Sequence, residues 1–154
     1  MSYLIRPAEN ADIARIVDFE VDIAIISFGD DAITDRAVHE RRVTSSLGKA
    51  GEVTLVAGSD SEVLGWAWLS RRTNSLTGAR YGNFRSLAVA DHPSRGEIGE
   101  ALLDAVISRC RADEIGELVG KVHADNLGMR ALYRKFEFEP VHLTMRKRLD
   151  AEST

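Results

Sequence analysis

Three apolar-rich stretches separated by polar segments stand in the middle of the chain. They are Glu52–Gly58, Glu62–Arg71 and Arg80–Ala90, and a polar turn at 59–61 and a polar loop at 73–79 separate them. Short apolar runs bounded by polar turns are typical of β-strands. The pattern therefore predicts three strands, of which the first two form an antiparallel hairpin.

A period near 3.6 residues predicts two helices in the stretch before these strands. Gly29–Asp31 interrupts the apolar pattern between them. A short polar side chain stands at the start of each helix, where its oxygen can accept from the free N–H groups of the first turn. The candidate boundaries are Asn10 or Asp12 and Ile26 or Phe28 for the first helix, and Thr34 or Asp35 and Gly48 for the second.

Further elements are predicted at both ends of the chain. Tyr3–Pro7 is a short first strand, and a helix over about Ile98–Ala112 follows the third strand of the middle region. The remainder is predicted as a strand at Glu117–Val122, a helix at Asn126–Phe136 and a final strand at Phe138–Arg148. The order is therefore β-α-α-β-β-β-α-β-α-β.

This order predicts an α/β fold. The helix at 98–112 crosses between two strands, and such a crossover requires those strands to be parallel. The hairpins require antiparallel pairs. We therefore expect a mixed, mostly antiparallel central sheet of about six to seven strands, with helices on both faces.

Composition narrows the class of protein. The chain has 154 residues, of which 44% are hydrophobic, and its net charge is −4 with both signs interspersed. This length suits one domain, assigned to residues 1–150, with a frayed tail at 151–154. The charge argues against nucleic acid as a partner, and we find neither a leader peptide nor a membrane-spanning run. One cysteine, Cys110, fits a reducing, cytoplasmic location.

A glycine-containing turn follows the strand that ends at Leu87–Val89. The turn contains Pro93, Gly96 and Gly99, and a helix starts directly after it. The N–H groups at a helix N-terminus are unpaired and lie at the positive end of the helix dipole. The turn is therefore a candidate site for a phosphate group.

The sequence resembles the GNAT superfamily of N-acyltransferases over nearly its whole length. The resemblance is centred on Leu87–Gly99 and on Asn126 and Tyr133 within the segment NLGMRALYRKFEF. The segments IRPAENAD, GWAWLS and ISFGDDAITDRAVHERR look most like the branch that acetylates small amines and amino acids, which includes the phosphinothricin acetyltransferases. The resemblance implies acetyl-CoA as co-substrate.

The glycine turn departs from the pattern of this family, which is Arg or Gln, two residues, Gly, one residue, then Gly or Ala. The pattern falls on Ser94, Arg95, Gly96, Glu97, Ile98 and Gly99. Only Gly99 matches it outright. Glu97 and Glu100 bring negative charge to a site meant for anions, so we expect weaker coenzyme A binding than the family norm. Alternatively, these acids only stabilise the helix against its own dipole.

The resemblance implies roles for five residues around the coenzyme. Main-chain groups of Leu87, Ala88 and Val89 bond the pantetheine arm, and one of their amides polarises the thioester carbonyl. Asn126 bonds the same arm. Tyr133 lies near the sulfur and acts as a general acid, for which a phenol with a pKa near 10 is suited.

Structural roles remain open for the same side chains. Asn126 is placed to cap a helix, and Tyr133 to pack its ring on the core. The two residues are seven apart, which puts them on one helix face. The glycine and phenylalanine that usually follow this helix in the family are Glu137 and Phe138 here, which puts the local turn conformation in question.

The acceptor side of the site is less defined by the sequence. Arg85 is expected to share a strand face with Leu87 and Val89, and either holds an acceptor carboxylate or forms an internal salt bridge. Trp68 either lines the acceptor pocket or packs under the helices, and Phe28 is a further substrate-binding candidate. In the family that the sequence resembles, a carboxylate that can act as the general base often lies on the strand that is 80–90 here. This strand has no carboxylate, so the general base is unassigned. Candidates for the base elsewhere are Glu20, Asp22, His39, Glu40, His92 and His123.

Three functions are compatible with these residues. The first is N-acetylation of a small-molecule amine or amino acid by direct attack on acetyl-CoA, with no metal, because no cluster has the spacing of metal ligands. The second is acetylation of a protein N-terminus or lysine. The third is a regulator that binds an acyl-CoA or a partner without catalysis, which the altered turn favours and Asn126 and Tyr133 oppose. Dimerisation is common in this fold, so a homodimer is compatible with the resemblance.

Overall fold

A five-stranded sheet forms the centre of the computed structural model, which describes residues 3–150. The strands lie side by side in chain order, and the first four pair antiparallel. The fifth pairs parallel with the fourth, as expected for a helical crossover. The strands are β1 (Leu4–Pro7), β2 (Glu52–Gly58), β3 (Val63–Thr73), β4 (Arg80–Val89) and β5 (Leu118–Gly120).

Four helices cover both faces of this sheet. They are α1 (Ile13–Phe28), α2 (Arg36–Ser46), α3 (Arg95–Ala112) and α4 (Leu127–Lys135). Side chains of α1 and α2 form one core with the sheet, and side chains of α3 and α4 form the other. The predicted α/β class, with a mixed and mostly antiparallel sheet between two helical layers, is confirmed.

The alternation along the central strands decides which core each residue enters. On β3, Trp66 and Trp68 pack toward α1 and α2, whereas Ala67 and Leu69 pack toward α3. Both cores are closely packed: Trp66, Ala67 and Leu69 are fully buried, and Trp68 is 1% exposed. Because β3 is buried on both faces, close packing fixes its position, and its pairing with β4 fixes the position of β4.

Helix caps form where short acidic side chains precede apolar runs. Asp35 is the N-cap of α2, and its carboxylate accepts from the Ala37 N–H at 2.9 Å. A short 3₁₀ turn at Asn10–Asp12 leads into α1, and Asp12 accepts from the Glu9 N–H at 2.8 Å. Arg6 of β1 donates two hydrogen bonds to the same carboxylate, so Asp12 ties the first strand to the first helix.

The predicted final strand at Phe138–Arg148 is wrong within the described residues, so the sheet has five strands rather than six to seven. Phe138 packs against the core. Beyond it, Val141, Leu143 and Met145 alternate with polar residues as a strand requires, but they are between 64% and 85% exposed. Alternation specifies a strand only where a layer buries its apolar face, and β5 offers an edge of only three residues.

Other boundaries shift by a few residues. α3 begins at Arg95 rather than Ile98, so the predicted glycine turn is mostly helix, and β5 is shorter than the predicted Glu117–Val122. Within residues 3–150, no helix is long and apolar enough to cross a membrane. The tail predicted at 151–154 lies outside the described residues.

Candidate functional site

The two parallel strands separate after three paired positions. Gly82 pairs with Leu118, Asn83 with Val119 and Phe84 with Gly120. β5 then ends, whereas β4 continues to Val89 and keeps its pairing with β3. Beyond Phe84, the part of β4 that contains Leu87, Ala88 and Val89 thus has a partner strand on one side only, among the residues that the structure describes. The two strands therefore diverge beyond Phe84 and Gly120.

A narrow cleft, called the β4–β5 cleft below, opens at this point. Its enclosed part has a volume of about 60 Å³, which is room for about two water molecules. β4, the segment after β5, α4 and α1 all contribute to its lining. The lining residues are Phe84, Arg85, Ser86 and Leu87, then Lys121, Val122 and His123, then Asn126, Met129 and Tyr133, and finally Ile23 and Ser27.

Tyr133 is the most buried titratable group of the cleft. It is 9% exposed, and its ring lies 4.6 Å from that of Phe138 and 6.4 Å from that of Phe84, between centroids. Burial among these apolar rings disfavours the phenolate and raises the pKa of Tyr133 to about 12. The phenol therefore keeps its proton at neutral pH.

Asn126 is the N-cap of α4 and also lines the cleft. Its Oδ1 accepts from the Met129 N–H at 3.1 Å. Capping uses only the side-chain oxygen, so the amide N–H groups of Asn126 can still donate to a ligand. The structure thus shows the capping role, which is compatible with a second role toward a pantetheine arm.

The C-terminus of α4 holds Tyr133 in place through a Schellman motif. The Phe138 N–H donates to the Tyr133 carbonyl at 2.9 Å, and the Glu137 N–H donates to the Arg134 carbonyl at 3.1 Å. Glu137 adopts a left-handed conformation with φ of 63°, at the position where the superfamily that the sequence resembles usually has glycine. The turn therefore forms without glycine, with some backbone strain.

The N-terminus of α3 faces the open end of β4. Ser94 is the N-cap of α3, and its side chain accepts no hydrogen bond from the helix. Its carbonyl accepts from the Ile98 N–H at 3.0 Å. The amides of Gly96 and Glu97 belong to the first turn, where helix geometry leaves N–H groups without intrahelical partners. This arrangement supports the anion site that the sequence predicts.

The acidic residues near this helix end are less disruptive than expected. Glu97 is exposed and helical, so it needs no conformation reserved for glycine. Glu100 forms an ion pair with Lys135 of α4, which offsets its charge and links the two helices. A β-carbon added at Gly96 would meet no atom within 4 Å, and one added at Gly99 would lie 3.6 Å from Val89 Cγ2.

Arg85 occupies a β-bulge, which overturns its expected strand face. Trp68 pairs with Ser86 and Leu69 with Phe84, so Arg85 is an extra residue between two paired positions. Leu87 and Val89 pack toward α3. Arg85 instead lies on the opposite face, with its guanidinium carbon 3.7 Å from the centre of the Trp68 ring. The extra residue reverses the alternation, which sequence periodicity cannot reveal.

The salt bridge of Arg85 is internal, which was one of the two expectations. Its Nη1 lies 3.5 Å from Oε1 of Glu52 on β2. Burial is the largest influence on the guanidinium and lowers the pKa of Arg85, which Arg42 and Arg72 lower further while Glu52 raises it. Arg85 nevertheless lines the β4–β5 cleft. It is therefore both a structural residue and a cleft residue.

The two other acceptor-side candidates lie at different depths. Trp68 is buried under α1 and α2 and reaches the cleft only through the Arg85 side chain that stacks on it. Phe28 ends α1, is 65% exposed, and packs edge-on against His123 with 6.2 Å between ring centres. The structure thus brings Phe28 to the rim of the cleft and places Trp68 behind its wall.

The candidates for a general base are engaged elsewhere or exposed. Glu20 accepts from Trp66 Nε1 at 3.1 Å, and His39 bonds the Ile33 carbonyl and Arg42. Asp22 and Glu40 are exposed and do not line the cleft.

Two histidines use Nδ1 to accept backbone N–H groups. His123 Nδ1 accepts from the Asp125 N–H at 3.1 Å, and His92 Nδ1 accepts from the Ser94 N–H at 2.9 Å. Of the two, only His123 lines the cleft, and its accepting nitrogen is already bonded. Protonation of His123 at Nδ1 would compete with that hydrogen bond.

Sequence reasoning missed seven residues of the cleft, among them Ile23, Ser27 and Lys121. Ile23 and Ser27 lie one helical turn apart on α1, and Lys121 follows the last residue of β5. The spacing of four residues between Ile23 and Ser27 is the only sequence signal that could have indicated that these two share a helix face. Which helix face borders the cleft follows from the packing of α1 on β4, which the sequence does not specify.

Solved structures with similar folds include several acetyltransferases. An aminoglycoside N-acetyltransferase in complex with CoA, AAC(6′)-Iy, superposes with a TM-score of 0.76 at 14% identity, covering 97% of this chain and 96% of that chain. A ribosomal-protein-alanine N-acetyltransferase from Brucella melitensis gives 0.71 at 17% identity, covering 97% and 100%. A transcriptional regulator from Bacillus halodurans gives 0.77 at 15% identity, covering 96% and 100%. At these identities the likeness shows the fold alone.

Sequence comparison identifies the family. Among curated proteins, none matches the chain. The model of the acetyltransferase (GNAT) family matches residues 17–138, which include β4, β5, the N-terminus of α3 and all of α4. This match spans most of the chain and contains every residue that lines the β4–β5 cleft. The chain belongs to the acetyltransferase (GNAT) family.

Proposed function

We propose that this protein transfers the acetyl group of acetyl-CoA to the primary amine of a small molecule or amino acid. The observation that carries the proposal is the divergence of β4 and β5 beyond Phe84 and Gly120, with the Tyr133 side chain lining the space between them. An extended thioester arm can pair with β4 there, because the edge of β4 that has no partner strand within residues 3–150 offers main-chain groups at regular spacing.

The reaction is a direct transfer. The neutral amine nitrogen attacks the acetyl carbon, the carbon–sulfur bond breaks, and the product amide keeps the acetyl group. The thiolate of coenzyme A takes a proton from the Tyr133 phenol, which water then reprotonates. A main-chain N–H of the Leu87–Val89 segment stabilises the oxyanion that forms on the thioester oxygen. Holding amine and thioester together supplies much of the acceleration.

The raised pKa of Tyr133 is compatible with its role as an acid. A phenol with a pKa of about 12 is fully protonated at neutral pH, so the acid is always present in its active form. The low polarity that raises this pKa also disfavours a bare thiolate in the same cleft. The same environment therefore makes the phenol a weaker acid and the thiolate a stronger base, so the proton transfer between them remains energetically feasible.

Water is the proposed acceptor of the amine proton. Among the described residues, no carboxylate lines the β4–β5 cleft, and His123 uses its Nδ1 for a backbone N–H. An amine that loses its proton before attack reacts faster as the pH rises toward its own pKa. We therefore expect a rate that increases with pH, without a bell shape from a side-chain base.

The coenzyme is expected to widen the cleft on binding. The enclosed volume of about 60 Å³ is too small for a pantetheine arm. Its diphosphate is proposed to bind at the free amides of Gly96 and Glu97, with Arg95 offsetting the charge of Glu97. Exposure of Glu97 lets its carboxylate turn toward solvent. We expect binding weaker than in relatives with glycine at this position, but measurable.

Two measurements test the proposal. Calorimetric titration with acetyl-CoA is expected to show one site per chain, and release of free thiol with a panel of small amines is expected to show turnover. Tyr133→Phe should lower kcat by about 10²- to 10⁴-fold while leaving acetyl-CoA affinity within a few-fold.

The matched control is Tyr81→Phe, which removes a phenol oxygen from β4 outside the cleft lining and should leave kcat unchanged. Binding of acetyl-CoA without turnover for any amine would contradict the proposal and favour a regulatory role. Equal activity of Tyr133→Phe and the unaltered protein would contradict the assignment of the acid.

A further inference from the structure

The charged side chains that line the β4–β5 cleft are cationic. Arg85 lies on its β4 wall and Lys121 on the opposite side, just past β5. Among the described residues, neither aspartate nor glutamate contributes to the lining. A cleft of this charge attracts anions and disfavours polycations, because its low-polarity walls strengthen the field of the two cations.

Arg85 is pre-positioned but has few hydrogen-bond partners. The β-bulge places it, and the Trp68 ring supports the flat side of its guanidinium at 3.7 Å. Its side chain is 26% exposed, and its only polar partner among the described residues is Glu52 at 3.5 Å. A guanidinium has five N–H donors, so most of them remain available. At 26% exposure, water reaches the donors that Glu52 leaves unused, and a bound carboxylate would replace that water.

Positive charges outnumber negative charges around Arg85. Arg42 and Arg72 act on Arg85 as like charges, opposed by the carboxylates of Glu20 and Glu52. Both carboxylates are shared with other donors, since Glu52 also accepts from the Ser70 hydroxyl and Glu20 from the Trp66 indole.

The indole of Trp68 adds one more unsatisfied donor. Its Nε1 is buried and has no hydrogen-bond partner among residues 3–150. It belongs to the same ring on which the Arg85 guanidinium stacks. Because Trp68 does not line the cleft, an acceptor brought by a ligand would meet the Arg85 guanidinium and not this indole.

We infer that the acetyl acceptor carries a carboxylate close to its amine, and that Arg85 binds this carboxylate. Arg85 and Tyr133 line one cleft, so a molecule held by Arg85 through one end can present its other end to the thioester. The planar guanidinium matches a carboxylate through two parallel hydrogen bonds. This inference rests on the proposed function and narrows its acceptor to amino acids and related amino carboxylates.

Matched acceptors test the inference directly. Each amino acid of a panel is compared with its carboxamide, which keeps the amine and side chain but loses the negative charge. Titration into the protein saturated with coenzyme A is expected to show the amino acid binding at least about tenfold more tightly than its amide. In Arg85→Gln this preference should disappear. In Arg85→Lys it should be reduced, since lysine keeps the positive charge but cannot donate two parallel hydrogen bonds to a carboxylate.

Arg72→Gln is the control variant. It removes the same charge from an exposed site on β3 that does not line the cleft, so the preference for the carboxylate should persist. Acetyl-CoA affinity should be unchanged in all three variants. A loss of acetyl-CoA affinity in Arg85→Gln would overturn the inference and assign Arg85 to a phosphate of the coenzyme.

The outcomes separate this inference from the proposed function. Equal binding and equal turnover of acids and amides would overturn the inference while leaving acetyl transfer intact. Preferential binding of the acids without thiol release would support the carboxylate site while contradicting the proposed reaction. Thermal melting of each variant shows whether it is folded, and Arg85→Lys provides the test if Arg85→Gln is not.

Discussion

The phenol oxygen of Tyr133 lies directly over Gly120, the last residue of β5. A β-carbon at position 120 would be 1.9 Å from this oxygen and 2.8 Å from Cζ of the same ring. No side chain other than hydrogen is compatible with that approach. The absence of a side chain at the point where β4 and β5 separate is therefore what allows Tyr133 to lie in the cleft.

Gly120→Ala is expected to displace Tyr133 and to lower both stability and activity. A contact of 1.9 Å requires the ring or the strand to move, which costs about 1–3 kcal/mol. Urea denaturation measures this loss, and thiol release should fall with it. Gly128→Ala is the control on α4, because its β-carbon meets nothing within 4 Å and helix propensity favours alanine.

The double variant Gly120→Ala with Tyr133→Phe isolates the cause. Without the phenol oxygen, the nearest atom to the added carbon is Cζ at 2.8 Å, so the clash is smaller. The stability lost through Gly120→Ala should accordingly be smaller in the Tyr133→Phe background than in the unaltered protein. Equal losses in both backgrounds would show that the phenol is not the obstacle.

The pKa of Tyr133 predicts a stability difference at alkaline pH. Burial raises the pKa from 10.0 to about 12 in the folded state, so folding favours the protonated phenol. This contribution is complete below pH 10 and is lost as the pH rises from 10 through 12. Relative to Tyr133→Phe, the unaltered protein should lose about 2 kcal/mol of unfolding free energy between pH 9 and pH 11.5. A constant difference over this range would contradict the burial of the phenol.

Two glutamates in left-handed conformations predict a matched pair of stabilising changes. Glu137 follows α4 with φ of 63°, and Glu114 follows α3 with φ of 58°. In both turns the next residue donates to the carbonyl five positions earlier. Glycine at either position removes the strain of the β-carbon and should stabilise the protein by about 0.5–1 kcal/mol in urea denaturation.

The two changes should differ in their effect on activity. Glu137→Gly alters the turn that holds Tyr133, whereas Glu114→Gly lies at the far end of α3. Both should keep acetyl-CoA affinity, and any change in kcat should be confined to Glu137→Gly. Destabilisation by either glycine would contradict the strain argument.

Asp12 predicts a dependence on acid pH. Hydrogen bonds from Arg6 are the largest of the influences that lower the pKa of Asp12, and a hydrogen bond from the Glu9 N–H lowers it further, whereas burial opposes both. A lowered pKa contributes stability that is present above the ordinary value of 3.8 and is lost as the pH falls through the folded value. Asp12→Asn should cost about 1–3 kcal/mol at pH 7 and progressively less below pH 4.

Asp18→Asn is the control for this prediction. Asp18 forms ion pairs with Arg15 and Arg36, but its side chain is 45% exposed. Exposed pairs contribute about 0–1 kcal/mol. Equal losses of unfolding free energy for both variants at pH 7 would show that the Arg6–Asp12 pair stabilises the protein no more than an exposed ion pair does.

The elements with strong periodicity could be predicted from the sequence. β2 has the predicted bounds, Asp35 is the one of the two candidate caps that caps α2, and Trp68 packs under the helices, which was one of its two expected places. Each of these depends on local patterning or on a local hydrogen bond. The family match confirms the superfamily that the Leu87–Gly99 segment, Asn126 and Tyr133 indicated, whereas the phosphinothricin-like branch stays a prediction.

What the sequence could not predict depends on contacts between distant segments. The face of Arg85 follows from a bulge, which appears only in the register of β4 against β3. The failure of the strand at Phe138–Arg148 depends on the length of the edge that β5 provides. The engagement of Glu20 by Trp66 joins residues that are 46 positions apart, so the sequence could not exclude Glu20 as a base.

The bulge at Arg85 has a consequence for how this strand can change in evolution. Phe84 faces Leu69 and Ser86 faces Trp68, so the two halves of β4 would join in an unbroken ladder if position 85 were deleted. Loss of this one codon would leave the packing of both flanking segments in phase, although a deletion elsewhere in a strand turns its side chains over. Relatives can therefore gain or discard the arginine by insertion or deletion, without rebuilding the sheet around it.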